Sequence, residues 1–350
     1  MRTLSLRCSA LALSLFLAAI ASQNLRADPW LSAGYQETVF SVSSLSGYET
    51  FLKTVAGWEV VAAGKLDPAT LHAWGLPQQA TARFSVMANP ATQRGYIRLI
   101  QFDDVDQQHI RSNAQSWDTG GWFDVNTRIV DMAKKFAQLQ SAGWQATSDP
   151  VRFKFAQFEV IEWLARGPDG IVIAMIERVA PVLTGWPQLR EMSRLFNATQ
   201  IVKDLDEARS FYEGILGFQP YLEHSGASPE DGPNVLGIPH NLADEVVRDI
   251  AILSPDGRNE GSIELLTFEG LDGADFSHLA VPPNLGILML RFPTDDIAAL
   301  HQHLRANEVE IAFQPIRVNL PPYGDTLLMA ARGPGGVWLE FFQTAAKSVE

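Results

Sequence analysis

Two short stretches, GYIRLIQF at 95–102 and GSIELLTF at 261–268, carry Arg98 and Glu264 at the same step of one apolar pattern. A further carboxylate, Glu340, ends the apolar run VWLE at 337–340. Carboxylates on strands serve proton transfer or hard cations, and a guanidinium serves anions or neutralises acids. Other chemistries lack their residues. There is no glycine-rich phosphate loop, nucleophile elbow or zinc spacing. His301 and His303 stand two residues apart in a helical pattern, too close in register to share one face. His72, His109, His224, His240 and His278 fall in loops or helices, and all seven histidines read as surface residues.

The lone cysteine, Cys8, lies before the apolar run 10–21, which follows Arg2 and Arg7 and leads to Ala19-Ile20-Ala21. That pattern predicts a secretory leader over 1–27 and a periplasmic or secreted mature chain without thiol chemistry. No later segment approaches the ~18 apolar residues of a membrane span. A net charge of −13, with no basic stripe, argues against nucleic acid and anionic membranes as partners. A small molecule remains as the expected partner, bound by a monomer or homodimer.

The chain repeats itself. ARGP recurs at 165–168 and 331–334, and Trp74-Gly75-Leu76-Pro77 is echoed by Leu236-Gly237-Ile238-Pro239, all at offsets of roughly 160–166 and in the same order. Each half divides again, giving four segments that begin at Glu37, Asp124, Asn197 and Met289. The third is clearest. Asp204 stands at a helix N-cap with Glu207 three residues on, Ala208, Phe211, Tyr212 and Ile215 recur at helical spacing, and Gly217 ends the helix. Alternating runs at 247–253 and 262–268 follow as strands, and the Gly-Pro-Asp and Gly-Gly stretches read as hairpin turns.

Asp204-Leu205, Phe211-Tyr212 and Leu216-Gly217-Phe218 resemble the opening of a module of the glyoxalase/bleomycin resistance/extradiol dioxygenase (vicinal oxygen chelate) superfamily, and Gly335-Gly336-Val337-Trp338-Leu339-Glu340 resembles its closing strand. The resemblance implies an α+β fold of four βαβββ modules pairing into two cups. Modules 1 and 2 are expected to form an N-terminal domain over 28–185, and modules 3 and 4 a C-terminal domain over 190–350.

In that family the ligands of the metal come from first and last strands. The matching first-strand positions are Glu37, Asp124, Asn197 and Met289; the last-strand positions are Arg98, Ala174, Glu264 and Glu340. The C-terminal cup is thus expected to hold Asn197, Glu264, Met289 and Glu340. Glu340 and Glu264 with Asn197 are the catalytic candidates, as an acid/base pair or, with a divalent metal, as its ligands; absence of a cofactor is the favoured expectation. Arg291, Tyr323, Met289, Glu37, Arg98 and Asp124 are ligand-binding candidates. Arg98 is expected to neutralise Glu37 and Asp124, and Tyr323, in the turn Pro321-Pro322-Tyr323-Gly324, either to close over a cup or to pack inside. The implied function is isomerase, epimerase or lyase chemistry on a small organic molecule. The alternatives are a metal-free sequestering protein and a metal-dependent extradiol-type dioxygenase, for which first-strand histidines are missing.

Overall fold

The computed structural model describes residues 30–31 and 33–345. The expected leader at 1–27 lies outside the described residues. Four segments each fold as a strand, a helix and three strands. Module 1 comprises β1 (Glu37–Ser41), α1 (Leu45–Phe51), β2 (Glu59–Lys65), an added α2 (Pro68–Ala73), β3 (Thr81–Ala88) and β4 (Tyr96–Asp103). Module 2 comprises β5 (Asp124–Ile129), α3 (Met132–Ser141), β6 (Val151–Phe155), β7 (Phe158–Arg166) and β8 (Val172–Ala180). Module 3 comprises β9 (Met192–Ile201), α4 (Leu205–Arg209), β10 (Gln219–Gly226), β11 (Arg248–Ser254) and β12 (Ser262–Phe268). Module 4 comprises β13 (Gly286–Pro293), α5 (Ile297–Ala306), β14 (Ile311–Asn319), β15 (Asp325–Arg332) and β16 (Trp338–Thr344).

Local chemistry sets these boundaries. The Asp204 carboxylate accepts the Glu207 N–H at 2.9 Å, capping α4, and Gly217 at φ 75° turns the chain out of the helical segment. The paired hairpin turns reuse one device, a left-handed residue at Asp169 (φ 61°) and at Gly335 (φ 59°).

The strands form two eight-stranded sheets, in the orders β14-β15-β16-β13-β1-β4-β3-β2 and β10-β11-β12-β9-β5-β8-β7-β6. Modules 1 and 4 therefore build one cup, and modules 2 and 3 the other. This corrects the expected division into contiguous domains at 28–185 and 190–350. The first strands give the reason. In the antiparallel pair β1·β13, Glu37 lies opposite Arg291; in β5·β9, Asn126 lies opposite Asn197. Pairing β1 with β5 and β9 with β13 would separate a buried carboxylate from a buried guanidinium, a costly exchange.

Strand alternation sorts each sheet into two faces. Ile97 and Leu99 of β4, like Ile263 and Leu265 of β12, join one continuous core with Leu52, Leu139, Tyr212 and Leu300, which links both sheets through their helices. Arg98 and Glu264 point the other way, into the two cups.

The cup of modules 1 and 4 is filled. Arg98 clasps Glu37 through Nε (2.7 Å) and Nη2 (3.2 Å), Arg291 Nη1 donates to Glu37 at 2.6 Å, and Arg291 Nε donates to Glu340. All four side chains are fully buried. Trp74, just past α2, donates Nε1 to the other oxygen of Glu340 at 2.7 Å, and Tyr323 donates to Glu37 at 3.0 Å while stacking on Phe342. Burial raises the Glu37 pKa, but Arg98 and Arg291 outweigh it and hold the carboxyl below its ordinary value. Leu71, Phe84, Phe102 and Phe313 pack the remaining space.

Removing one partner of such a network strands a buried charge. Arg291→Met is expected to cost about 3–5 kcal/mol in urea unfolding. Arg291→Met combined with Glu340→Leu should recover part of that loss; an Arg291→Met midpoint equal to wild type would contradict the network's structural role.

Candidate functional site

The second cup repeats the first at the level of register, with different residues. Glu37 opposite Arg291 becomes Asn197 opposite Asn126. Arg291 beside Glu340 becomes Asn126 beside Ala174, and Arg98 beside Val39 becomes Glu264 beside Thr199. The echoed loops match as well: Trp74 plugs the first cup, whereas Leu236 packs at the edge of the second. Four paired charges and an indole are thereby replaced by two amides, a methyl group, one carboxyl and an isobutyl group. A cavity of about 470 Å³ opens in the space.

Alternation along β5 turns Asp124, Asn126 and Arg128 into this cavity, and along β7 it turns Phe158, Val160, Glu162 and Leu164. Arg178 of β8, Asn197 and Thr199 of β9, His224 of β10 and Glu264 of β12 add to its polar lining, with Arg152, Lys154, Tyr221 and Arg248 among the further polar residues around it. Leu164, Leu266 and Phe123 form an apolar floor at one end; Val160, Ile176 and Phe196 do so at the other.

Asp124 is held in place. The Asn126 side-chain amide donates to Asp124 (3.1 Å) and Asn197 (2.8 Å) and lies 3.2 Å from the Thr199 hydroxyl, while Asn197 donates to Ser262 at 2.9 Å. Glu162 and Glu264 differ: half-buried against the cavity, they have no hydrogen-bond or ion-pair partner among the described residues. Burial pushes Glu264 up to about 8, reinforced by the charges of Asp124 and Glu162 and opposed by Arg128. Burial likewise raises Glu162 to about 8, with Asp124 adding and Arg128 opposing. Asp124 rises to about 7 through burial, against the hydrogen bonds of Thr199 and Asn126 and the charge of Arg111. Two carboxyls of this kind can hold or release a proton near neutral pH.

The residues do not fit the metal that the fold family implies. In the open cup the Asn126 amide hydrogens sit between Asp124 and Asn197, where their oxygens would have to converge on an ion, and Ala174 offers no donor. In the filled cup the guanidinium groups of Arg98 and Arg291 occupy the space between Glu37 and Glu340. Among the described residues no three His, Cys, Asp or Glu side chains are placed to share an ion.

Several expectations are corrected. Glu264 and Glu340 lie in different sheets, so they form neither an acid/base pair nor a joint metal site. Glu340, Arg291, Tyr323, Glu37 and Arg98 bind one another inside the filled cup, leaving only Arg98 Nη1 and Arg291 Nη2 of the two guanidinium groups without a partner among the described residues, and Met289 is buried core there. Tyr323 does close over a cup, but it gives its phenol to Glu37. Arg98 neutralises Glu37 as expected, while Asp124 belongs to the other cup. Glu264, Asn197 and Asp124 do converge on one cavity. His224, expected at the surface, lines that cavity edge-on to Phe155. Sequence reasoning missed Glu162, Arg128, Arg178 and Asn126. The signal for Asn126 and Arg128 was present, because period-two alternation from Asp124 leads directly to both. Arg178 carried the same signal, four residues beyond Ala174 on β8, whereas Glu162 lies on β7, a strand with no family ligand position.

A family model described as Glyoxalase/Bleomycin resistance protein/Dioxygenase superfamily matches residues 194–341, spanning modules 3 and 4. No curated protein sequence matches the chain. Among solved structures, glyoxalase I from Zea mays is similar at 16% identity, covering 89% of this chain and 93% of that one, with a TM-score of 0.56. A putative dioxygenase from Bacillus subtilis subsp. subtilis str. 168 is similar at 14% identity, covering 91% and 87%, with a TM-score of 0.54. At such identities the likeness is one of fold. Residues 194–341 thus match the model of the glyoxalase/bleomycin resistance/dioxygenase superfamily, and the chain as a whole, with four βαβββ modules in two cups, shares the fold of these two structures.

Proposed function

We propose that the cup of modules 2 and 3 binds a small, largely apolar organic molecule and moves protons on it, in a protein exported to the periplasm. The observation that carries this reading is the unpaired couple Glu162 and Glu264, both held near 8 on the wall of the cavity. Their mutual repulsion makes them titrate in steps, so an intermediate pH range leaves one ionised and one protonated. The ionised carboxylate takes a proton from a carbon next to a carbonyl, and the protonated one gives its proton to the carbonyl oxygen. An enol forms and net charge is conserved. Arg128, buried at the cavity wall, offers N–H donors to negative charge developing on that oxygen. Returning the proton to a different carbon or face gives isomerisation or epimerisation; expelling a group from the enol gives a lyase. The aromatic wall of Phe153, Phe155, Phe158 and Phe196 favours a second reading, a protein that only sequesters its ligand.

Deuterium wash-in at the α-carbons of phenylacetone, a neutral ketone, tests the proposal by proton NMR. Wild type should exceed buffer, with a bell-shaped pH dependence centred near 8, since the acid is lost above that range and the base below it. Glu264→Gln and Glu162→Gln should each reduce the rate about 100-fold. A sequestering protein would bind the ketone without exchange; a wild-type rate equal to buffer, or unchanged rates in both variants, refutes proton transfer.

A second expectation concerns stability. A carboxyl whose folded pKa is raised binds more protons folded than unfolded, so stability falls as pH rises from about 4.5 to about 8. Each such group contributes up to about 1.4 kcal/mol per pH unit. Urea unfolding between pH 5 and pH 9 should therefore show a shallower decline for Glu264→Gln than for wild type. Equal slopes would mean Glu264 titrates normally.

A further inference from the structure

We infer that the ligand of the open cup is an organic anion, a carboxylic acid with an apolar body, whose carboxylate sits between Arg128 and Arg178. The inference rests on the proton-transfer reading of the same cup and names its substrate class.

Arginines elsewhere in the molecule's interior have acceptors. Arg98 and Arg291 hold carboxylates, Arg194 holds Glu260, Arg111 reaches the carbonyls of Gly120 and Asp118, and Arg332 reaches that of Ala280. Arg128 is only 7% exposed, yet its side chain has no hydrogen-bond or ion-pair partner among the described residues, and its Nε is buried without one. The Nε of Arg178 is buried and unpartnered in the same way. Both side chains line the cavity.

Their placement is built. Arg128 lies opposite Ile176 in β5·β8, and Arg178 follows two residues later on the same face of β8. Each guanidinium lies over a phenyl ring, Arg128 4.3 Å from the centroid of Phe196 and Arg178 3.9 Å from that of Phe158. The ring shields one side of each guanidinium, and no described residue accepts from its N–H donors, which leaves the fork that grips a carboxylate without a partner. The buried Arg128 and the half-buried Arg178 beside it repel: burial and the charge of Arg178 lower Arg128 to about 10. Glu162 shares the row, with Ile176 between it and Arg128, but stays largely protonated at neutral pH and does not discharge the pair. A bound anion relieves that repulsion.

The rest of the cavity fixes the ligand's other end. Leu164, Leu266, Ile250 and Leu236 gather beyond the carboxyls. A molecule anchored by its carboxylate at the arginines passes the carbons next to that group between Glu162 and Glu264 and buries its apolar body among these residues.

Isothermal titration of the mature chain at pH 7 with 4-phenylbutyrate and with its neutral amide, 4-phenylbutanamide, tests the inference. The acid should bind at least about tenfold more tightly than the amide. Arg128→Met and Arg178→Met should each reduce that preference to within about twofold, with an unchanged circular-dichroism spectrum certifying that the variants fold. Equal affinity of acid and amide for wild type, a preference surviving both variants, or binding of neither compound overturns the inference. Phenylacetone exchange needs no anion, so exchange without acid preference refutes the anion alone, and acid preference without exchange refutes proton transfer alone.

Discussion

The architecture depends on four buried charges. Glu37, Arg98, Arg291 and Glu340 come from four strands of two modules that are far apart in sequence, and none of the four reaches solvent. Burying any one alone would be prohibitive, so the network forms only when module 1 meets module 4 in the observed register. That requirement brings the beginning of the described chain against its end. Modules 2 and 3 are left to pair with each other.

The two cups show what a duplicated scaffold can do when the same positions receive different chemistry. Complementary charges and the Trp74 indole turn one cup into core. In the other, the Asn126–Asn197 amide pair secures the strands without filling the cup, and Ala174 and Leu236 leave room. The cost of solvating Glu162, Glu264 and Arg128 poorly is borne by this open cup, and the filled cup and the shared helical core supply the rigidity that lets it persist. Structural and functional demands are thus divided between copies.

Much of the fold was legible because it follows from periodicity and turns. The Asp204 cap, the Gly217 exit and the repeated ARGP turns mark module boundaries locally. Module pairing was not legible, because it is decided by partners more than 250 residues apart, such as Glu37 and Arg291. The candidate site suffered from the same limit. Glu264 and Asn197 could be placed on cup-facing strands, but joining Glu264 to Glu340 assumed that consecutive modules share a cup. Glu162 sits on β7, where no motif points to chemistry and only the curl of the sheet brings it over the cavity; Arg178 continues the cup-facing row of β8 from Ala174, a position whose methyl group gives no hint of chemistry.

The central claim is that the open cup holds two glutamic acids whose protons are retained close to neutral pH. Carbon-13 NMR of glutamate-labelled protein measures this directly through the pH dependence of each side-chain carboxyl. Two resonances, assigned by Glu162→Gln and Glu264→Gln, should titrate near 8, well above the ordinary glutamate value of about 4.3. If both titrate below pH 5, the open cup is a charged, solvated cleft and the account of its chemistry fails.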